Sequence, residues 1–214
     1  MESFETDAWL TLDGKITKIT QKCELTWSQL QECETIEGKY KIPLLEDIMN
    51  ITKGKIFMNL EIKDHNEEIW EKIKELIKQY QYYDQISISS FNHDYYKKIE
   101  KYNNEFNSTI VFGFLYWNLT IIDYEKPNHQ ISLNALNIKS FESIVKKAHS
   151  KNMTVGVYFF SEPNNRQYYD LFEIGVDVII TDYPIRVSNQ LKLYYTNNYY
   201  LEGCKSIEKN NYNF

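Results

Sequence analysis

Glycine is scarce in this chain of 214 residues, with only seven in all and no G-x-G-x-x-G anywhere. A glycine-rich phosphate turn, the usual mark of an open doubly wound sheet that holds a nucleotide, is therefore missing. Cysteine is also sparse. Cys23, Cys33 and Cys204 are odd in number and unpatterned, which suggests neither a disulfide framework nor a zinc site and fits a reducing compartment. No run approaches the roughly 18 apolar residues of a membrane helix. The opening Met-Glu-Ser-Phe-Glu-Thr-Asp has no basic stretch leading into an apolar one, so a cytoplasmic location is the expectation. Basic excess is lacking too: 24 Lys and Arg stand against 30 Asp and Glu, a net charge of −6. With a pI near 5.3 and no basic stripe, a nucleic-acid partner is disfavoured. The lysines between Lys72 and Lys78 alternate with Glu71 and Glu75, the pattern of a solvated helix face.

What the chain does have is a regular alternation. Strands are expected at about 4–11, 55–62, 85–89, 109–115, 129–134, 154–159 and 177–181. Between them lie helical patterns. Residues 66–80 place Ile69, Ile73, Leu76, Ile77 and Tyr80 at helical spacing. Thr26 is a candidate N-cap for a short helix, and Ile42-Pro43 leads into another. Strands separated by helices of about 10 to 15 residues imply parallel pairing. The length suits one barrel domain. A closed parallel barrel has eight strands with its chemistry at their C-terminal ends, so seven strands suggest an α/β barrel of the TIM type that is one strand short. The expected division is a barrel over 1–187 and a C-terminal helix and tail over 188–214.

Charged residues on the expected strands suggest a site. In Phe57-Met-Asn-Leu-Glu-Ile-Lys63, alternation sends Asn59, Glu61 and Lys63 to one face. Glu5 and Asp7 share a face in the same way on the first strand, which stops at Asp13-Gly14. Three carboxylates from two strand ends suit a hard divalent cation such as Mg²⁺ or Ca²⁺. The competing reading is a solvent-facing salt bridge at a strand end.

Five segments in order resemble the glycerophosphodiester phosphodiesterase family: Phe4-Glu-Thr-Asp-Ala-Trp-Leu-Thr-Leu-Asp-Gly14, Ile42-Pro-Leu-Leu-Glu-Asp-Ile48, Asn59-Leu-Glu-Ile-Lys63, Ser89-Ser-Phe-Asn-His93 and Gly175-Val-Asp-Val-Ile-Ile-Thr-Asp-Tyr-Pro184. They span nearly the whole chain. The resemblance implies a parallel barrel of lipid metabolism that hydrolyses glycerophosphodiesters to glycerol 3-phosphate and an alcohol. It implies that Glu5, Asp7 and Glu61 are metal ligands and that Lys63 contacts the phosphate. It also puts Tyr158 where a substrate-contacting tryptophan usually stands.

The chain departs from the family pattern at the two histidines that act as acid and base. It begins after the strand that would end in His-Arg-Gly, so the resemblance implies that the missing strand is the N-terminal one and that the barrel is truncated there. An ungapped match puts Thr20 and Gln21 where the second histidine would follow the Asp13-Gly14 turn, or a deletion joins that turn to the next helix, and neither match supplies a histidine. Of the four histidines present, His65 has the parity to continue the face of Glu61 and Lys63 if that strand runs on, which makes it a candidate substitute. His93 reads as a helix-opening residue. His129 starts a strand, and His149 sits late in a helix, near its carbonyls. The resemblance therefore leaves two outcomes open: an impaired hydrolase, or a non-catalytic binding or interaction module. An incomplete barrel would also expose strand edges, from which self-association or instability is expected.

Overall fold

The computed structural model describes residues 3–18, 24–33, 40–117, 122–135, 141–161 and 163–196. The chain forms two compact units, Met1–Leu115 and Tyr116–Phe214.

The first unit runs β1 (Ser3–Leu10), β2 (Ile16–Thr17), α1 (Trp27–Glu32), α2 (Leu45–Thr52), β3 (Phe57–Ile62), α3 (Glu68–Tyr80), β4 (Ile86–Ser90), α4 (Tyr95–Phe106) and β5 (Val111–Tyr116). Its strand order is β2-β1-β3-β4-β5. β1 is parallel to β3, β3 to β4 and β4 to β5. The two-residue β2, which the sequence pattern did not suggest, pairs antiparallel with Trp9 and Leu10 of β1. It is held by the Asp13-Gly14 turn, where Gly14 N donates to the Thr11 carbonyl at 2.9 Å. Thr26 caps α1 as expected, in a capping box with Gln29.

Alternation sorts this sheet into two unlike faces. One carries Ala8, Met58, Leu60, Ile62, Ile86, Ile88, Phe112 and Phe114, all buried. Helices supply the other half of that core. α3 buries Ile69, Trp70, Ile73 and Ile77, and α4 buries Tyr95, Ile99 and Tyr102. The Tyr96 ring of α4 lies 5.3 Å from that of Phe114, and Trp70 meets Tyr102 edge-on at 5.8 Å. The opposite face is polar and holds the site.

The second unit contains β6 (Gln130–Asn134), α5 (Phe141–Ser150), β7 (Thr154–Tyr158), α6 (Asn165–Ile174) and β8 (Val178–Ile180), then a helix, α7, over 184–196. β6, β7 and β8 are parallel neighbours. α6 opens on Asn164, whose side chain accepts from Gln167 N. His149, at the end of α5, pairs with Asp177 at 2.9 Å rather than with helix carbonyls. The same Asp177 oxygen accepts Val155 N at 2.8 Å, so this acid ties α5 to the start of β7 and to the approach of β8. Among the described residues no helix is long and apolar enough to cross a membrane.

Candidate functional site

Parallel register brings together residues that lie far apart in sequence. Glu5 is level with Asn59 and Asn59 with Ser87, while Asp7 is level with Glu61, Glu61 with Ser89 and Ser89 with Gly113. These two rungs put three carboxylates, an amide and two hydroxyls on one face of β1, β3 and β4. Gly113 keeps the second rung open, because a Cβ there would lie 3.0 Å from the Ser89 Cβ.

Asn59 organises the first rung. Its Nδ2 donates to Glu5 Oε2 at 2.7 Å and to Ser89 Oγ at 3.1 Å, and its Oδ1 accepts from Ser87 Oγ at 2.9 Å. Both amide hydrogens are thus committed, one of them to Glu5, while the two serines fix the amide plane. Sequence reasoning placed Asn59 on the right face without giving it a role, and it passed over Ser87 and Ser89. The signal was present in the alternating Ile86-Ser-Ile-Ser-Ser90, where every second residue is a small hydroxyl.

Lys63 closes the cluster. Its Nζ lies 2.9 Å from Glu61 Oε1 and 3.6 Å from Asp7 Oδ1. The Glu61 oxygen is buried and the contact falls outside hydrogen-bond geometry, so the ammonium acts through its charge. Glu61 is only 6% exposed. Burial raises its carboxyl above the usual range, and Lys63 pulls against that rise. Asp7 is raised by the same burial, again opposed by Lys63. Glu5 is pushed up to about 7, first by burial and then by the charges of Glu61 and Asp7, against the hydrogen bond from Asn59. For Lys63, burial works to lower the pKa, but the surrounding acids overcome it and the ammonium is raised.

Three carboxylates facing one ammonium leave excess negative charge in a partly desolvated site. The donor set, hard oxygens with a buried Glu61 oxygen lacking a hydrogen bond, fits a divalent cation. As the side chains stand, however, no three such groups are gathered tightly enough to share an ion among the described residues. Lys63 lies between two of them instead.

The other sequence-derived candidates lie elsewhere. β3 ends at Ile62 because Asp64 takes over the local backbone: its carboxylate accepts Leu10 N at 3.0 Å and Asn66 N at 2.8 Å, which turns the chain towards α3. His65 is thereby placed on an exposed loop, beside a surface cavity of about 540 Å³ that it lines with Trp9, Leu12 and Glu24. The strand does not run on to carry it beside Glu61 and Lys63. His93 Nε2 lies 2.9 Å from the Leu115 carbonyl, and His129 is buried at the approach to β6. Tyr158 ends β7 in the second unit, its hydroxyl donating to the Tyr116 carbonyl at 3.3 Å. Its ring meets Trp117 edge-on at 6.4 Å and Phe160 at 5.9 Å.

Comparison with known proteins bears on this arrangement. Residues 11–186 match the model of the glycerophosphoryl diester phosphodiesterase family. The chain is 24% identical to a glycerophosphodiester phosphodiesterase of Bacillus altitudinis, over 86% of this chain and 84% of the relative. It is 22% identical to the uncharacterized protein YqiK of Bacillus subtilis, over 89% and 87%. Among solved structures it is similar to a glycerophosphodiester phosphodiesterase from Parabacteroides distasonis, with a TM-score of 0.75 and 18% identity over 92% of this chain and 84% of that one. A phosphodiesterase from Oleispira antarctica in complex with the product sn-glycerol-3-phosphate gives 0.71 and 17% over 90% and 85%. These likenesses show the fold, an α/β protein of the TIM-barrel type, as the alternation of strands and helices implied.

Proposed function

The chain belongs to the glycerophosphoryl diester phosphodiesterase family, and on that premise we propose that the Glu5, Asp7, Glu61 and Lys63 cluster binds the phosphate of a glycerophosphodiester together with a divalent cation, Mg²⁺ or Ca²⁺. The reaction is hydrolysis to glycerol 3-phosphate and an alcohol. One observation carries this reading: parallel register gathers three carboxylates and one ammonium on a polar sheet face, with Asn59 holding Glu5 in place.

Glu5, Asp7 and Glu61 would hold the cation. When bound, the ion would offset charge on the phosphoryl oxygens and polarise the phosphorus centre. Lys63 moves from neutralising Glu61 and Asp7 to neutralising a phosphate oxygen, a role that its raised, permanently protonated ammonium suits. Asn59, fixed by Ser87 and Ser89, keeps Glu5 oriented towards the cluster. Tyr158, by its resemblance to the family tryptophan, contacts the organic part of the substrate.

Proton transfer is the weak link. No imidazole touches the carboxylate cluster among the described residues, and a positioned acid or base is worth about 10² to 10⁴ in rate. His65, the substitute that strand parity suggested, lies on an exposed loop off the cluster, so slow turnover is the expectation. The decisive measurement is hydrolysis of glycerophosphocholine with and without added Mg²⁺ or Ca²⁺. Slow, cation-dependent turnover that Glu61→Ala abolishes supports the hydrolase. Cation and glycerol 3-phosphate binding with no turnover means that the chain works as a binding module. Failure to bind either removes the proposal.

The exposed edge of β1 gives a second expectation. Among the described residues β2 pairs with Trp9 and Leu10 alone, and the rest of that edge would invite association of copies through backbone pairing. Sedimentation at increasing concentration reads this directly, and a monomer throughout would discard it.

A further inference from the structure

The segment Ser89-Ser-Phe-Asn-His93 holds two serines that alternation sends to opposite faces of the sheet. Ser89 is level with Glu61 on the polar face and bonds to Asn59. Ser90 lies on the other face and is 1% exposed. Its hydroxyl donates to the Ile62 carbonyl at 2.7 Å and accepts Asn92 N at 3.1 Å. That carbonyl belongs to the peptide unit whose N–H, from Lys63, donates to the Ala8 carbonyl at 3.3 Å. The peptide entering Lys63 is thus held from β1 on one side and from β4 on the other. Among the described residues the β3–β4 register runs to Glu61 and Ser89, and beyond it the Ser90 side chain takes over.

The chain leaving Lys63 is held as well. Asp64 accepts Leu10 N and Asn66 N on its carboxylate, and its carbonyl accepts the Tyr95 hydroxyl at 3.1 Å. Tyr95 opens α4 and is buried. Burial first, then the charges of Asp64 and Glu67, push this hydroxyl up to about 12, so it remains a donor at neutral pH. Lys63 therefore stands between two residues whose carbonyls are fixed by side chains from β4 and α4. Its ammonium sits at the end of a flexible four-carbon stem, where a small turn of the backbone is magnified.

We propose that Ser90 and Tyr95 are positioning residues for Lys63, their hydroxyls setting the backbone on either side of it so that its ammonium stands between Glu61 and Asp7. Both act through main-chain carbonyls, those of Ile62 and Asp64. A misplacement of 1 Å can cost about 10²-fold in rate, so this clamp bears on the phosphate contact proposed for Lys63. That consequence rests on the reading of the cluster as a phosphate site, whereas the placement of the ammonium against the two acids does not. The competing account is that the two hydroxyls merely satisfy buried carbonyls at the end of β3. It predicts a loss of stability that is independent of Lys63. The clamp lies wholly in the first unit.

A double-mutant cycle with Lys63→Met separates the two accounts. Urea unfolding of the full chain at pH 8 is measured for the parent, for Ser90→Ala and Tyr95→Phe, and for each of these combined with Lys63→Met. Tyr95→Phe keeps the buried ring and decides the matter if Ser90→Ala fails to fold. In either background the effect of Lys63→Met on the unfolding constant should be smaller than in the parent, by about threefold or more. Titration with glycerol 3-phosphate and Mg²⁺ gives a second readout. Each single variant should bind about threefold to tenfold more weakly, with no further weakening once Lys63→Met is present. Additive unfolding losses would overturn the proposal for the residue concerned, whatever the ligand does. A parent that binds no glycerol 3-phosphate, with the unfolding cycle still coupled, would remove the phosphate role of Lys63 and leave the clamp standing.

Discussion

Replacing Lys63 with methionine separates the charge of this residue from its bulk. Methionine keeps most of the apolar stem but removes the ammonium 2.9 Å from Glu61 and 3.6 Å from Asp7. Breaking one side of a buried ion pair costs about 3 to 5 kcal/mol. The Lys63 side chain is 32% exposed against 7% for Glu61, so solvent takes up part of the lost charge and about 2 kcal/mol is the expected loss. The loss depends on an ionised Glu61. That carboxyl is already raised by burial, with Lys63 opposing the rise, and without Lys63 it rises further. A carboxyl whose folded pKa exceeds its unfolded value penalises the folded state at high pH and not below the unfolded pKa. The difference between parent and K63M should therefore be fully present at pH 8 and vanish as the pH falls towards about 4.5. Urea unfolding of both proteins across that range measures it, and near neutral pH the melting temperature should drop by roughly 4 to 8 °C. An equal loss at both ends of the range would mean that Lys63 contributes packing alone, and the electrostatic account of the cluster would be wrong.

Other outcomes follow from the same geometry. Glu5, pushed up to about 7, should make the metal-free protein lose stability as pH climbs from about 4.5 through 7, by about 3 kcal/mol at most; Glu5→Gln should flatten that slope, and unchanged unfolding profiles would contradict it. Gly156→Ala brings a methyl within 2.7 Å of Gln130 and 2.9 Å of Ser132. It should cost about 1 to 3 kcal/mol, visible as a lower melting temperature. Asp177→Ala removes the acceptor of Val155 N and the partner of His149. A loss of about 1 to 2 kcal/mol is expected, where His149→Ala alone, at an exposed position, should cost less. Equal losses in the two variants would show that the backbone contact of Asp177 is idle.

Local pattern fixed much of this protein in advance. The parallel strands within each unit and the helices between them follow from apolar periodicity and capping residues such as Thr26, and these depend on neighbours within a turn or two. The faces of Glu5, Asp7, Asn59, Glu61 and Lys63 follow from alternation alone. Short β2 was missed because two residues held by a tight turn have no period to detect. His65 was expected on the continued face of β3, but the bonds from Asp64 to Leu10 and Asn66 end that strand early, and the Leu10 contact bridges 54 positions. Tertiary structure alone decided which residues stand level. Register between parallel strands is set by the packing of whole sheet faces, so only the fold could show that Lys63 sits between Glu61 and Asp7 and that Asn59 holds Glu5.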